Sequence, residues 1–80
     1  MSNHHVVTLL TRATCGSCAR VEAQIRPVVA AHGATLVVED VDADVDLRAE
    51  FGDRTPVVLV DDIEIACWEI DTEDLIAALA

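Results

Sequence analysis

Residues 6–18 read VVTLLTRATCGSC, a short apolar run followed by two cysteines with two residues between them. The run Val6–Thr11 is rich in β-branched and apolar residues without clear alternation, as expected of a strand that is buried on both faces. After Cys18, apolar residues recur at steps of three and four until Gly33, which is typical of a helix that ends at a glycine. The sequence therefore predicts a central strand that gives way to a helix at Cys15.

The rest of the chain predicts three more strands and two more helices. The expected ranges are a strand over Thr35–Asp40, a helix from about Ala43 to Phe51, strands over Val57–Val60 and Ile63–Trp68, and a helix from Thr72 towards Ala80. A single helix between the first two strands makes a βαβ unit, whose strands are parallel. Only Asp61 and Asp62 separate the last two strands, which predicts an antiparallel hairpin. The order is βαβαββα, an α/β fold in one domain that spans residues 1–80.

The second helix is short and needs both a cap and a buried face. Asp42 or Asp44 is placed to accept the first backbone N–H groups of this helix as its N-cap. Val45, Leu47 and Phe51 are the apolar residues that we expect it to bury.

The composition restricts the class of partner. The 80 residues are 52% hydrophobic and carry a formal net charge of −10. Nucleic acids and anionic membrane surfaces both bind basic faces, so neither is expected as a partner. The longest early apolar stretch is far shorter than the ~20 residues of a membrane-spanning helix, and no basic leader precedes it. We expect a monomer in the cytoplasm.

Cysteine usage also favours the cytoplasm. Three cysteines are too few for the disulfide framework of a secreted protein, and the odd count leaves Cys67 without a partner. Cys67 alternates with Ile63 and Ile65, so we expect it to pack as a small apolar side chain on the last strand. Cys15 and Cys18 lie in a half of the chain, residues 1–38, that has three arginines and one glutamate, whereas residues 39–80 have two arginines and fourteen carboxylates.

The placement of Cys15 and Cys18 at the start of a helix predicts thiol chemistry. The thiolate is the nucleophile in disulfide exchange, and an isolated cysteine with a pKa of about 8.5 is mostly protonated at neutral pH. Unpaired N–H groups and the positive end of the dipole at a helix start favour a negative charge on the Cys15 sulfur. Cys18 returns to the same side one turn deeper, which makes Cys15 the attacking thiol and Cys18 the resolving thiol.

The same cysteines could instead bind a metal, because C-x-x-C is half of a zinc site. Cys67 and a histidine would have to complete such a site, but no second C-x-x-C and no paired His follow at zinc-ribbon spacing. A C-x-x-C beside a βαβ pattern is the stronger indication of redox chemistry. No metal is therefore expected, and a zinc or iron–sulfur binding module remains the alternative.

Together these features resemble the thioredoxin superfamily, and within it a small glutaredoxin-like protein of bacterial type. The resemblance covers nearly the whole chain. It rests on C-G-S-C at the junction of strand and helix, on Thr55-Pro56 directly before a strand and hairpin, and on the βαβαββα order. It implies a four-stranded mixed sheet with the strand order 2-1-3-4, flanked by helices on both faces, with the first and last helices on one face and the middle helix on the other.

The resemblance also implies a substrate-binding site. Thr55-Pro56 would be a cis peptide that faces the dithiol, and the backbone of Thr55 would pair with a bound substrate like an added strand. Arg12 matches a basic position often found in glutaredoxins. Arg12 and Arg54 could both lie close to the dithiol, where they would stabilise a thiolate or receive a substrate carboxylate.

Two stretches depart from the glutaredoxin pattern. Glutaredoxins typically have Pro-Tyr between the cysteines and a Gly-Gly segment with a following acidic residue after the last strand, which together hold glutathione. Here those stretches are Gly16-Ser17 and Cys67–Asp71. The resemblance thus implies no tightly bound cofactor, and it leaves glutathione as one candidate co-substrate among the low-molecular-weight thiols.

The function predicted from the sequence is that of a dithiol thiol–disulfide oxidoreductase of glutaredoxin-like type. It would reduce protein disulfides or mixed disulfides through Cys15 and Cys18, and a thiol or a flavoprotein reductase system would supply the electrons. A redox-inactive thioredoxin-like adaptor with the same cysteines is a further alternative.

Overall fold

The structure, a computed structural model, describes residues 4–80. Within this range the elements follow in the predicted order. Their bounds are β1 Val6–Thr11, α1 Cys18–Ala31, β2 Thr35–Asp40, α2 Val45–Phe51, β3 Val57–Val60, β4 Ile63–Cys67 and α3 Thr72–Leu79, with a 3-10 turn over Val41–Ala43 before α2. The α/β fold is therefore confirmed. None of the helices in this range has the length and hydropathy of a membrane span.

The four strands form one mixed sheet in the order β2-β1-β3-β4. β1 pairs parallel with β2 and antiparallel with β3, and β3 pairs antiparallel with β4. The β3–β4 hairpin turns at Asp61 and Asp62, which have positive φ angles of 52° and 69°. Aspartate adopts this region more readily than most residues, which explains the turn. The strand order that the resemblance implies is confirmed.

Two apolar clusters cover the two faces of the sheet. Val7 and Leu9 of β1 pack with α1 and α3 on one face. Leu10 packs with Phe51 of α2 and with Val41 on the other face. Leu9 and Leu10 are both fully buried, and burial of each leucine side chain stabilises the fold by about 1.5–3 kcal/mol. The helices therefore lie on both faces in the arrangement that the resemblance implies.

Both of the first two helices start later than predicted. α1 begins at Cys18 and not at Cys15, because residues 12–17 form turns before the helix. α2 begins at Val45 and not near Ala43, because the Asp44 side chain accepts the N–H groups of Asp46 and Leu47 as the N-cap.

The prediction that Val45 is buried is wrong. Val45 is 67% exposed, whereas Leu47 is half-buried and Phe51 is buried. Leu47 and Phe51 are four residues apart and share one face of the helix. Val45 is two residues from Leu47, a rotation of about 200° that directs its side chain away from the sheet.

A β-bulge in β4 changes which side chains share a face. Val58 pairs with Ala66 and Leu59 pairs with Glu64, so Ile65 is an extra residue in the ladder. Ile65 consequently packs against the cluster beneath α1 and α3, and Cys67 packs against the cluster beneath α2. Cys67 is a partly buried apolar contact as expected, but it does not share a face with Ile65.

The carboxylate of Asp61 fastens the hairpin to the start of β1. It accepts the Val6 backbone N–H over 2.9 Å and a hydrogen bond from His5 Nδ1. The Val6 N–H, and after it the bond from His5, lower the pKa of the Asp61 carboxyl below its usual value of 3.8. A carboxyl with a lower pKa in the folded chain stabilises the fold above that usual value and loses this effect as the pH falls through its folded pKa.

We predict that Asp61→Asn lowers the thermal unfolding midpoint at pH 7, and that the difference from the wild type shrinks as the pH falls below about 4. Asp62→Asn is the matched control, because it changes the neighbouring residue of the same turn and leaves the contacts of Asp61 in place. Unfolding midpoints measured from pH 2 to pH 7 test this. An equal midpoint loss in the two variants at every pH would contradict the role of Asp61.

Candidate dithiol site

Cys15 and Cys18 are joined by a disulfide, and their Cα atoms are 5.6 Å apart. Cys15 lies in the turn before α1 and is partly exposed, whereas Cys18 is the first residue of α1 and is only 5% exposed. Cys18 is therefore shielded from solvent, and an incoming ligand meets Cys15 first. An attacking thiol needs such access, and the roles of Cys15 as attacking and Cys18 as resolving thiol stay a prediction.

The turn between β1 and α1 sets the position of Cys15. The Cys15 backbone N–H donates to the Arg12 carbonyl over 2.9 Å, which turns the chain sharply after β1. Ser17 is the N-cap of α1, and its backbone carbonyl accepts the Val21 N–H over 3.0 Å. A Cβ atom added at Gly16 would lie within 4 Å of no residue other than its chain neighbours, so the space beside this turn is open.

Ser17 is a candidate functional residue that the sequence analysis missed. Its side chain makes no capping hydrogen bond to the helix. Its hydroxyl lies 3.6 Å from the Cys15 Sγ instead. The sulfur of a disulfide carries no proton, so the hydroxyl donates. A hydroxyl two residues after the first cysteine, at the position before the helix, is the sequence signal for this contact.

Thr55-Pro56 is a cis peptide, as the resemblance implies. The strand register pairs Leu10 with Val57, so Pro56 lies beside the end of β1 from which the turn to Cys15 begins. Thr55-Pro56 and the dithiol are therefore at the same edge of the sheet, the one where β1 ends and β3 begins, which we call the dithiol edge. Within residues 4–80, neither the backbone N–H nor the carbonyl of Thr55 is hydrogen-bonded. These groups are available to pair with a ligand strand.

The guanidinium group of Arg12 is directed to the α2 side of the sheet. Its Nε donates to the Asp42 carboxylate over 3.1 Å, and its Nη1 donates to the Gly52 carbonyl over 3.1 Å. The structure thus brings the backbone of Arg12 to the dithiol turn, while its charge is paired with Asp42. An interaction of Arg12 with a substrate or with the thiolate stays a prediction.

The guanidinium group of Arg54 is also paired. Its Nη1 donates to both carboxylate oxygens of Glu64 over 2.7 Å, and its Nη2 donates to the Glu50 carbonyl over 3.1 Å. The group also lies over the Phe51 ring, 5.1 Å from the ring centre. A role of Arg54 in substrate binding likewise stays a prediction. Among residues 4–80, no three His, Cys, Asp or Glu side chains converge in a way that could hold a metal ion.

Residues 6–80 match the family model described as Glutaredoxin-like domain (DUF836). The chain belongs to this glutaredoxin-like family. It is 44% identical over 79 residues to Uncharacterized protein Rv0508 of Mycobacterium tuberculosis, with 92% of this chain and 81% of the relative covered. Uncharacterized protein Mb0520 of Mycobacterium bovis matches with the same identity and coverage.

Solved thioredoxin structures share the fold of this glutaredoxin-like chain. A mutant thioredoxin from Halobacterium salinarum NRC-1 has a TM-score of 0.70 and 21% identity, with 96% of this chain and 73% of that chain covered. The oxidised thioredoxin from Plasmodium falciparum has a TM-score of 0.65 and 15% identity, with 96% and 79% covered. The thioredoxin fold, the family and the bonded cysteine pair together support a thioredoxin-like redox role.

We predict that, after reduction, limiting iodoacetamide labels Cys15 well before Cys18. The reason is access, because Cys18 is buried and Cys15 is partly exposed. Peptide mass mapping at successive times measures the two rates in one sample, and the partly buried Cys67 is an internal reference. Equal labelling of Cys15 and Cys18 would show that the two thiols are equivalent.

We also predict that Ser17→Ala slows alkylation of the reduced Cys15 several-fold near neutral pH. A hydrogen bond to a charged group contributes about 1.5–3 kcal/mol, so losing the hydroxyl disfavours the thiolate. Ser17→Thr keeps a hydroxyl and is the matched control. Alkylation rates measured across pH separate the thiolate fraction from the intrinsic reactivity, and a profile of Ser17→Ala that overlays the wild type would exclude this role.

Proposed function

We propose that this chain is a dithiol thiol–disulfide oxidoreductase that reduces disulfides of proteins or mixed disulfides with low-molecular-weight thiols. The observation that carries the proposal is the unequal access of two cysteines bonded to each other at a helix start. Exposed disulfides are the ones that exchange readily with thiols, and this disulfide is accessible at Cys15.

The reaction would proceed in two exchange steps from the reduced dithiol. In the first step the Cys15 thiolate attacks one sulfur of the substrate disulfide. A bond between Cys15 Sγ and that sulfur forms, the substrate disulfide breaks, and the other substrate sulfur leaves as a thiolate that takes up a proton. In the second step Cys18 loses its proton and attacks Cys15 Sγ, which releases the remaining substrate thiol and forms the Cys15–Cys18 disulfide.

Two electrons thus pass from the protein dithiol to the substrate in each cycle. A thiol such as glutathione, or a flavoprotein reductase system, would return them by exchange in the opposite direction. A reducing cytoplasm, which the small number of cysteines favours, is the compartment in which such a donor operates. The unpaired backbone groups of Thr55 would align an extended substrate segment beside Cys15.

Three cysteine variants test the proposal. Cys15→Ser is expected to abolish disulfide reduction, because the attacking sulfur is lost. Cys18→Ser is expected to accumulate the mixed disulfide or to retain only a single-thiol reaction, because the resolving sulfur is lost. Cys67→Ser is the control and should keep the wild-type rate, since Cys67 packs beneath α2 as an apolar contact. Turnover of a dialkyl disulfide is measured with a glutathione-linked system and separately with a thioredoxin reductase.

Three outcomes would contradict the proposal. Full turnover in Cys15→Ser would exclude this dithiol as the site. Stoichiometric zinc or iron in protein purified without chelator or oxygen, lost on substitution of Cys15 or Cys18, would establish a metal-binding module instead. The absence of turnover with either donor, together with alkylation of Cys15 at the rate of an isolated cysteine, would indicate an adaptor.

A further inference from the structure

Trp68, the only tryptophan of the chain, has a backbone conformation that side chains rarely adopt. Its φ is 68°, and the Glu69 N–H donates to the Cys67 carbonyl over 2.8 Å, which closes a three-residue γ-turn around Trp68. A γ-turn with positive φ at its centre is rare and strained, whereas glycine adopts this region without penalty. Strained positions persist where surrounding contacts hold them, and they cluster at functional sites.

Two hydrogen bonds hold Trp68 against the loop that leads to Pro56. Its backbone N–H donates to the Pro56 carbonyl over 2.8 Å, and its indole Nε1 donates to the Asp53 carbonyl over 3.4 Å. Trp68 is nevertheless 61% exposed, and it belongs to neither apolar cluster of the described residues. The core of the fold therefore does not account for this strained tryptophan, and most of its indole surface is open to a ligand.

The strand register places Trp68 at the dithiol edge of the sheet. Leu10, Val57 and Cys67 lie side by side on β1, β3 and β4. Trp68 directly follows Cys67, and the turn to Cys15 follows the end of β1. Two strand spacings, or about 10 Å, separate β1 from β4. A ligand that crosses this separation between β1 and β4 spans roughly three extended residues, which is more than a dialkyl disulfide offers.

We propose that Trp68 is a specificity-determining residue, which binds an apolar or aromatic side chain of a polypeptide whose disulfide reacts at Cys15. This inference rests on the proposed function and names its substrate class. A tryptophan supplies a large, rigid contact area at low conformational entropy, and aromatic pairs prefer offset or edge-to-face packing, which an exposed indole permits. The same polypeptide segment would pass the unpaired backbone groups of Thr55 on its way from Cys15 to Trp68.

Matched disulfide substrates test this inference on the reduced wild-type protein. Two short peptides, each carrying one cysteine as a mixed disulfide with a small thiol, differ only in phenylalanine or alanine about three residues from the cysteine. A dialkyl disulfide reports the chemistry at Cys15 alone. The wild type is expected to favour the phenylalanine peptide over the alanine peptide in kcat/KM by roughly fivefold, and Trp68→Gly is expected to bring this ratio to about one.

Glycine is chosen at position 68 because it adopts the observed φ without strain. Ile63→Ala is the matched control, because Ile63 is 68% exposed at the hairpin end of β4, away from the dithiol edge. This control should keep the wild-type ratio. Because Trp68 is the only tryptophan, its fluorescence is a second readout that needs no substitution at this position. In the Cys18→Ser protein, the mixed disulfide with the phenylalanine peptide should shift the emission, and that with the small thiol should not.

The outcomes separate this inference from the function on which it rests. No reduction of any of the three substrates by the wild type would overturn the proposed function itself. Reduction of all three, with a peptide ratio that is one in the wild type or unchanged in Trp68→Gly, would overturn only the role of Trp68. An emission that shifts with protein concentration before any substrate is added would assign the indole to contact with a second copy of the chain, and would also overturn that role.

Discussion

The pairing of β1 on both sides is the constraint on which the rest of this structure depends. β1 is hydrogen-bonded to β2 along one edge and to β3 along the other, and its consecutive residues Leu9 and Leu10 are buried in opposite clusters. A strand in this position cannot shift by one residue without exchanging the side chains of both clusters. The position of the turn that carries Cys15 is therefore determined by the register of β1 and not by the disulfide.

The order and type of the elements could be predicted because each one has a local signal. A doubly buried strand, a helical period ending at Gly33 and a two-residue hairpin all depend on short stretches of chain. The details that sequence reasoning missed depend on neighbours in space. The start of α2 depends on which aspartate caps it, and the position of Cys67 depends on a bulge at Ile65 that alternation within one strand does not reveal.

The candidate site likewise combines residues that have a local sequence signal with contacts that depend on neighbours in space. Cys15 and Cys18 were predicted from their motif and Thr55-Pro56 from the family resemblance, and the register places them at one edge of the sheet. The partners of the arginines were not predicted, because Arg12 and Asp42 are thirty residues apart in the chain. The charge of Arg12 is therefore not free at the dithiol in the way that the composition of residues 1–38 suggests. Carboxylates of the acidic half neutralise Arg12 and Arg54 locally.

The spacing of the two cysteines limits what their disulfide contributes to folding. A bridge between residues three positions apart closes a very small ring. In the chain-entropy description, closing such a ring lowers the entropy of the unfolded chain and so stabilises the fold by about 2 kcal/mol, whereas a longer loop would stabilise it more. The two apolar clusters lie elsewhere and are built from strands and helices that the bridge does not connect. The two apolar clusters, and not the bridge, therefore hold the strands and helices in place.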